Sequence, residues 1–323
     1  MDTAAFRSDL ELIPETLGAL ADAVDAGLDG LDRLPMLGAS RVLVLGMGSS
    51  RYAADVVARR YRAVGAPAMV ELASVALLPP AAPDLAVVAV SATGGSVEVL
   101  QAIERYRGSG RLVAVTNRAD SELARAADVV VPLHAGVEAS GVACRTFRAT
   151  FAVLDQVLAE LLGTAPEARF DPAALRTAAA SSAHLLEASA DWLAPMADLL
   201  AGPMGTWALA PAERASSAQQ SALMLREVPR RAAFASETGD WSHVDVYLTK
   251  TQDYRALVFA GSAWDAQALE WMDLRGSRFA SVGRDLPGAE LALRFPGDED
   301  DTVAALSEVL VGELVADRWL RQG

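Results

Sequence analysis

The feature that most constrains this chain is the recurrence of short runs of valine, leucine and alanine, each followed by a stretch with helical spacing. Arg41 to Leu45, Ala68 to Leu72, Leu85 to Val90, Leu112 to Val115 and Val129 to Leu133 carry almost no polar residues. A strand with polar residues on alternate positions has one wet face; a strand without them is buried on both faces, as in a parallel sheet covered by helices. Five such runs with helical crossovers predict a doubly wound, flavodoxin-like α/β domain with strand order 2-1-3-4-5. Similar runs return at Thr206 to Ala210, Ala256 to Ala260, Phe279 to Val282 and Leu291 to Phe295. The second half therefore reads as a degenerate copy of the first. The expected fold class is α/β, with two flavodoxin-like, three-layer α/β/α domains built on parallel sheets.

The expected organisation is a helical segment over residues 1–40, a first α/β domain over 41–165 and a second over 166–323. A long helix over 146–163 precedes the stretch GTAPEARFDPAA, the best candidate for a linker, and a single closing helix is expected from Thr302 to about Leu320. The 42 acidic and 28 basic residues leave a net charge of −14. That field repels polyanions, so nucleic acid and anionic membrane surfaces are poor partners. Cys144 is the one cysteine, which excludes an internal disulfide and fits a reducing compartment, with cytoplasm as the expected location. The first residues lack a basic and then apolar leader pattern, and no long uncharged apolar stretch occurs, so neither export nor membrane insertion is expected. Lys250 is the one lysine, so Schiff-base chemistry has a single conceivable nucleophile.

Two loops carry the candidate ligand chemistry. The first strand runs into GMGSSR (Gly46 to Arg51) and the third into SATGGS (Ser91 to Ser96), each followed by a helix pattern. In a 2-1-3-4-5 sheet, strands one and three are neighbours, and the crevice outside their carboxyl ends is where ligands collect. Glycines admit an oxyanion close to the backbone, free N–H groups point at it from the helix start, and hydroxyls donate further bonds. Gly48, Ser49, Ser50, Ser91, Thr93 and Ser96 are thus candidate phosphate ligands. A nicotinamide site would use Gly46, Gly48 and a carboxylate such as Glu71, but Arg51 occupies the third glycine position of that fingerprint.

These residues resemble the sugar isomerase (SIS) domain family in its tandem arrangement, as in the isomerase half of glucosamine-6-phosphate synthase and in fructosamine-6-phosphate deglycases. The resemblance is carried by VLVLGMGSSRYAADVVARRY, VELAS, VAVSATGGSVEVLQAI, GVEASGVACRTF, SALMLREVP and ETGDWSHV, in that order. It implies that Ser50, Ser91, Thr93 and Ser96 hold a sugar phosphate and that Val142 and Cys144 line the sugar. It also implies that Glu227 is the catalytic glutamate, that His243 opens the sugar ring, and that the protein is a homodimer in which His243 serves the partner's pocket. Ala92 stands where the synthase pattern has glutamine, Cys144 where it has serine, and Met224 where it has lysine. The synthase's closing lysine has no counterpart here, nor does its glutamine-hydrolysing domain, so glutamine-dependent amination is not expected.

Without the resemblance, Glu227 ends a helix over about Glu213 to Val228 that Pro229 stops, where the negative end of the helix dipole disfavours a second negative charge. A surface pair with Arg230 or Arg231 accounts for it equally. His243 falls in a polar loop, His134 follows the fifth strand near the sheet's carboxyl edge, and His184 falls in a helix pattern. No metal site is expected, because no two histidines have ligand spacing, and no cofactor is called for. The expected partner is a small phosphorylated sugar. Three functions stay open: an aldose/ketose isomerase moving a proton between C1 and C2, a deglycase releasing an amine, and a sensor without catalysis.

Overall fold

The structure is a computed structural model and describes residues 2–322. The chain divides into two compact units: Glu15–Arg176, and the segment from Thr177 onward together with the N-terminal residues up to Pro14. Both divisions fall inside helices, α2 (Ile13–Ala26) and α7 (Pro172–Glu187), whereas the sequence reading placed its boundaries at 40/41 and 165/166.

In the first unit, β1 (Arg41–Gly46) leads into α3 (Gly48–Ala63), then β2 (Ala68–Leu72), β3 (Leu85–Val90), α4 (Val97–Ile103), β4 (Leu112–Thr116), α5 (Glu122–Ala126), β5 (Val129–Pro132) and α6 (Arg145–Leu162). All pairings are parallel and the order is β2-β1-β3-β4-β5, as expected from the sequence. Every residue of β3 is buried, because helices cover both faces. Leu43, Leu45, Val87, Ala89 and Ala114 meet Val99 and Ile103 of α4 and Leu123 of α5; α3 and α6 pack on the sheet and on each other. Between them the Tyr61 hydroxyl donates to the Asp155 backbone oxygen at 2.6 Å, and Arg169 pairs with the buried Asp155 carboxylate at 2.8 Å. Gly163, with φ of +62°, ends α6 in the left-handed conformation that a β-carbon disfavours.

The second unit contains α1 (Thr3–Glu11), then, from the C-terminal part of α7, α8 (Ser189–Leu200), β6 (Thr206–Ala210), α9 (Ala215–Glu227), β7 (Ala233–Glu237), α10 (Thr238–Trp241), β8 (Arg255–Phe259), α11 (Asp265–Leu274), β9 (Arg278–Val282), β10 (Leu291–Leu293), α12 (Asp301–Ser307) and α13 (Val309–Gln322). Its parallel sheet runs β10-β9-β8-β6-β7, which is the order of the first sheet with β6 in the place of β1. The duplication read from the apolar runs is therefore real at the level of topology. One face is filled by Trp207, Trp241, Tyr254 and Phe279; Trp207 stacks on Tyr254 with centroids 4.2 Å apart, and the Trp241 indole donates to the Tyr254 hydroxyl at 2.6 Å.

Two elements differ from the sequence reading. The edge strand β7 was not expected, and only its first residue, Ala233, is buried. The closing helix is interrupted at Glu308, giving α12 and α13 in place of one helix. Glu308 is fully buried and paired with Arg214, which is 2 % exposed and also reaches Asp301 at 3.0 Å and the Ala260 backbone oxygen. Arg214 follows β6 and Ala260 follows β8, so the guanidinium lies at the carboxyl edge between the two central strands.

Burial holds the Glu308 carboxyl above its usual range. Arg214→Met leaves that carboxylate without its cation, so unfolding by urea should show a loss of about 3–5 kcal/mol at pH 8. A carboxyl whose folded pKa lies above its unfolded value loses stability as pH rises. The loss should therefore be smaller at pH 5, and an equal loss at both pH values would contradict the ion-pair account.

Candidate functional site

The carboxyl edge of the first sheet gathers the loops that the sequence singled out. β1 and β3 are paired in register, with Leu45 opposite Ala89, so the loops leaving Gly46 and Val90 emerge side by side. Gly46 lets the start of α3 come close, since a β-carbon there would sit 3.3 Å from the Arg51 backbone nitrogen. Neither α3 nor α4 has a side-chain cap on its first N–H groups, although Ser96 stands at the N-cap position of α4. The Ser96 hydroxyl instead lies 3.0 Å from that of Ser91. Serine at this position ordinarily bonds the helix's own N–H groups, so here the hydroxyl is turned to its neighbour and the helix start is left without that cap.

Ser49 and Ser91 are buried, Ser50 and Ser96 half-buried, and Thr93 exposed. The loop is held from within: Gly94 donates to the Ser91 hydroxyl at 3.2 Å and Gly95 to that of Thr93 at 3.3 Å. From β4, the Asn117 N–H donates to the Ala92 backbone oxygen at 3.1 Å. Gly94 has φ of +62°, and a β-carbon on it would overlap the Ser121 side chain.

A cavity of about 460 Å³ opens at the ends of β3, β4 and β5, with Thr93, Arg118, His134, Glu138 and Thr146 among its lining. His134, set aside in the sequence reading as a secondary candidate, is on this wall with φ of +53°. Among the described residues the other non-glycine residue with positive φ is Arg230, three positions after Glu227. Such residues carry local strain that the surrounding structure must hold.

Three polar residues of this edge, Asn117, Arg118 and Glu138, escaped the sequence reading. The Asn117 amide bridges two strand ends, donating to the Gly136 oxygen at 2.6 Å and accepting from the Ala135 N–H at 3.1 Å. Glu138 accepts from the N–H groups of Cys144, Arg145 and Thr146 at 2.7, 2.6 and 3.1 Å and from the Thr146 hydroxyl at 2.7 Å. It thus caps α6, whose positive end favours a carboxylate. Burial is the largest influence on Glu138 and holds its carboxyl above the usual range, against those hydrogen bonds. A glutamate just ahead of a long apolar helix was the available signal. Val142 and Cys144, the expected sugar-lining pair, are both buried, and the cavity wall carries instead the residues that precede each of them, Gly141 and Ala143.

In the second unit, Glu227 is the last residue of α9 and is exposed. Arg231 closes the helix by donating its N–H to the Leu225 oxygen at 2.9 Å, with Arg230 in the left-handed turn before it. Met224, one turn earlier, is fully buried. His243 is exposed on a well-anchored turn: its N–H donates to the Asp240 oxygen at 2.8 Å, Glu237 caps α10 through the Asp240 N–H at 2.8 Å, and Trp241 is buried in the core. His184 lies in the last turn of α7. The carboxyl edge between β6 and β8 holds the Arg214 guanidinium where the first unit has its hydroxyl loops. Among the described residues no cluster of His, Cys, Asp or Glu is placed to hold a metal ion, and no helix is long and apolar enough to cross a membrane.

Gly94→Ala should cost about 1–3 kcal/mol in a urea unfolding experiment, because the new methyl group needs a left-handed backbone and overlaps Ser121. A cost near zero would mean that the loop moves aside.

The SIS domain family matches residues 36–160. The glutamine–fructose-6-phosphate aminotransferase (isomerizing) of Aeropyrum pernix is 30% identical over 223 residues, which cover 66% of this chain and 36% of that protein. The chain thus spans about a third of the length of that curated relative. The C-terminal domain of glucosamine-fructose-6-phosphate aminotransferase from Francisella tularensis superposes with a TM-score of 0.82 at 18% identity, covering 98% of this chain and 94% of that one. The tagatose-6-phosphate ketose/aldose isomerase of Escherichia coli gives 0.78 at 16% identity, covering 100% and 95%. At these identities the two structures are matches of fold. The sequence match places a SIS domain over residues 36–160, and the doubled 2-1-3-4-5 sheet with its paired glycine and hydroxyl loops agrees with it.

Proposed function

We propose that this protein binds a phosphorylated sugar through the Gly48–Ser50 and Ser91–Ser96 loops and moves a proton between its C1 and C2. The observation that carries the reading is the pair of uncapped helix starts beside the Ser91 and Ser96 hydroxyls, 3.0 Å apart, at the switch point of the first sheet. Hydroxyls and N–H groups bind a phosphate dianion without a lysine.

In this reading His243 passes a proton to the ring oxygen while the anomeric O1–H proton leaves to water, and the chain form opens. The Glu227 carboxylate then takes the proton from C2 of the aldose, the electron pair forms the C1–C2 double bond while the carbonyl O1 takes up a proton from water to give an enediol, and the proton returns from Glu227 to C1 as the O2–H proton leaves to give the ketose. Glutamate suits this work because it is exposed and its two oxygens can face adjacent carbons. Exposed Val244 and Tyr247 beside His243 favour a second copy of the chain as the cover of this turn.

Loss of an amine from C1 of a fructosamine phosphate begins with the same proton step, so a deglycase uses the same groups. A sensor without catalysis draws its support from Met224, a fully buried thioether where the synthase pattern has a lysine.

Incubation in D2O with hexose, hexosamine and fructosamine 6-phosphates, followed by NMR, separates these outcomes. Deuterium at C1 or C2 without amine release indicates an isomerase, and amine release a deglycase. A raised melting temperature with neither indicates a sensor. Glu227→Gln should lower exchange by about 10²–10⁴-fold while leaving sugar-phosphate affinity within about twofold. Ser96→Ala should instead weaken binding, and unchanged affinity there would remove the phosphate loop from the reading.

A further inference from the structure

The cavity at the ends of β3, β4 and β5 is larger than a phosphate needs, and its far wall differs in chemistry from the loop at its entrance. About 460 Å³ lies within the range of small-molecule sites. Thr93 and Ala92 of the phosphate loop form one side, and Arg118 and His134, from the ends of β4 and β5, form another. The remaining polar groups are committed elsewhere: the Asn117 amide to Gly136 and Ala135, and the Glu138 carboxylate to four donors at the start of α6. The Arg118 guanidinium is 66% exposed, and its ion-pair partner, Asp120, is 83% exposed and 3.7 Å away. An exposed pair of that geometry is worth little, so the guanidinium is available to a ligand.

His134 presents its imidazole from a left-handed backbone that few side chains adopt. The protein's net charge of −14 works against any anion at long range, so an anion on this wall requires local donors. The larger cavity of the second unit, about 810 Å³, has Asp265, Glu270, Asp273 and Glu290 in its lining against the single cation Arg278, so its wall is acidic.

We propose that the cavity is a second anion subsite continuous with the phosphate loop, in which Arg118 and His134 hold a further acidic group of the substrate. The substrate class is then a sugar phosphate with a second oxyanion, a carboxylate or a phosphate, remote from the first. A planar guanidinium fits either group through two parallel N–H bonds. The inference rests on the phosphosugar reading above and narrows it.

Isothermal titration at fixed ionic strength tests it with four probes: fructose 6-phosphate and glucose 6-phosphate with one acid group, and 6-phosphogluconate and fructose 1,6-bisphosphate with two. At least one doubly acidic probe should bind ten times or more tighter than fructose 6-phosphate, and the tighter of the two identifies carboxylate or phosphate as the second group. Arg118→Ala should abolish that preference while fructose 6-phosphate affinity stays within about twofold. His134→Asn, which keeps a residue tolerant of the left-handed backbone, should reduce the preference.

Equal binding of all four probes by the native protein, or a preference that survives Arg118→Ala, overturns the subsite and leaves the phosphosugar reading standing. If the doubly acidic probes bind in an Arg118-dependent way and fructose 6-phosphate never does, the cavity stands and the phosphate loop falls. Binding of none overturns both.

Discussion

The burial of β3 on both faces is the constraint from which the candidate site follows. A strand with six consecutive buried residues has no wet face, so it needs neighbours on both edges and helices above and below. β1 and β4 supply the edges, α4 and α5 cover one face, and α3 and α6 cover the other. Because chain order reverses between β1 and β3, their following loops turn to opposite faces and leave a crevice between them. Ser91 and Ser96 stand at the edge of that crevice because β3 ends at Val90, immediately before them. Their chemistry is a product of topology before it is a product of residue type.

Arginine does much of the work that lysine shares in other chains. Arg169 neutralises the buried Asp155 between α3 and α6, and Arg214 neutralises Glu308 in the second unit. A forked guanidinium can satisfy a buried carboxylate and a backbone oxygen together, as Arg214 does with Glu308 and Ala260. The Gly46–Arg51 and Ser91–Ser96 loops, by contrast, contain no cation other than Arg51, which is paired with Asp55 at 2.9 Å. The donors at the switch point are thus dipoles and hydroxyls, and Arg118 stands farther along the same edge.

Most of the fold was legible because buried parallel strands write themselves as unbroken apolar runs. β2, β3 and β6 have the bounds read from the sequence, and the other expected strands shift by at most two residues at either end. β7 was not legible: AFASE is an edge strand with one buried residue, so it carries no apolar run. The break at Glu308 was hidden for a different reason, since the residue at the break is buried against Arg214, 94 residues away in sequence. Of the site, the glycine and hydroxyl loops could be read, because strand, loop and helix follow one another directly. Glu138, Asn117 and Arg118 could not be read as a group, because their meeting depends on how the ends of β4 and β5 approach the start of α6. The resemblance to SIS proteins pointed to Glu227 and His243, whose local patterns alone suit a surface ion pair and an ordinary polar turn.

The two sheets share one strand order but not one use. In the second, the place between the central strands is filled by the protein's own guanidinium, fixed by Glu308, Asp301 and the Ala260 carbonyl. Gly261, with φ of +124°, belongs to this arrangement, since a β-carbon there would stand 2.9 Å from the Arg214 Nη2. The internal cation serves as a permanent occupant, surrounded by acids rather than by donors. Duplication of the framework therefore does not duplicate the opening: at the second switch point the chain has already supplied its own charge.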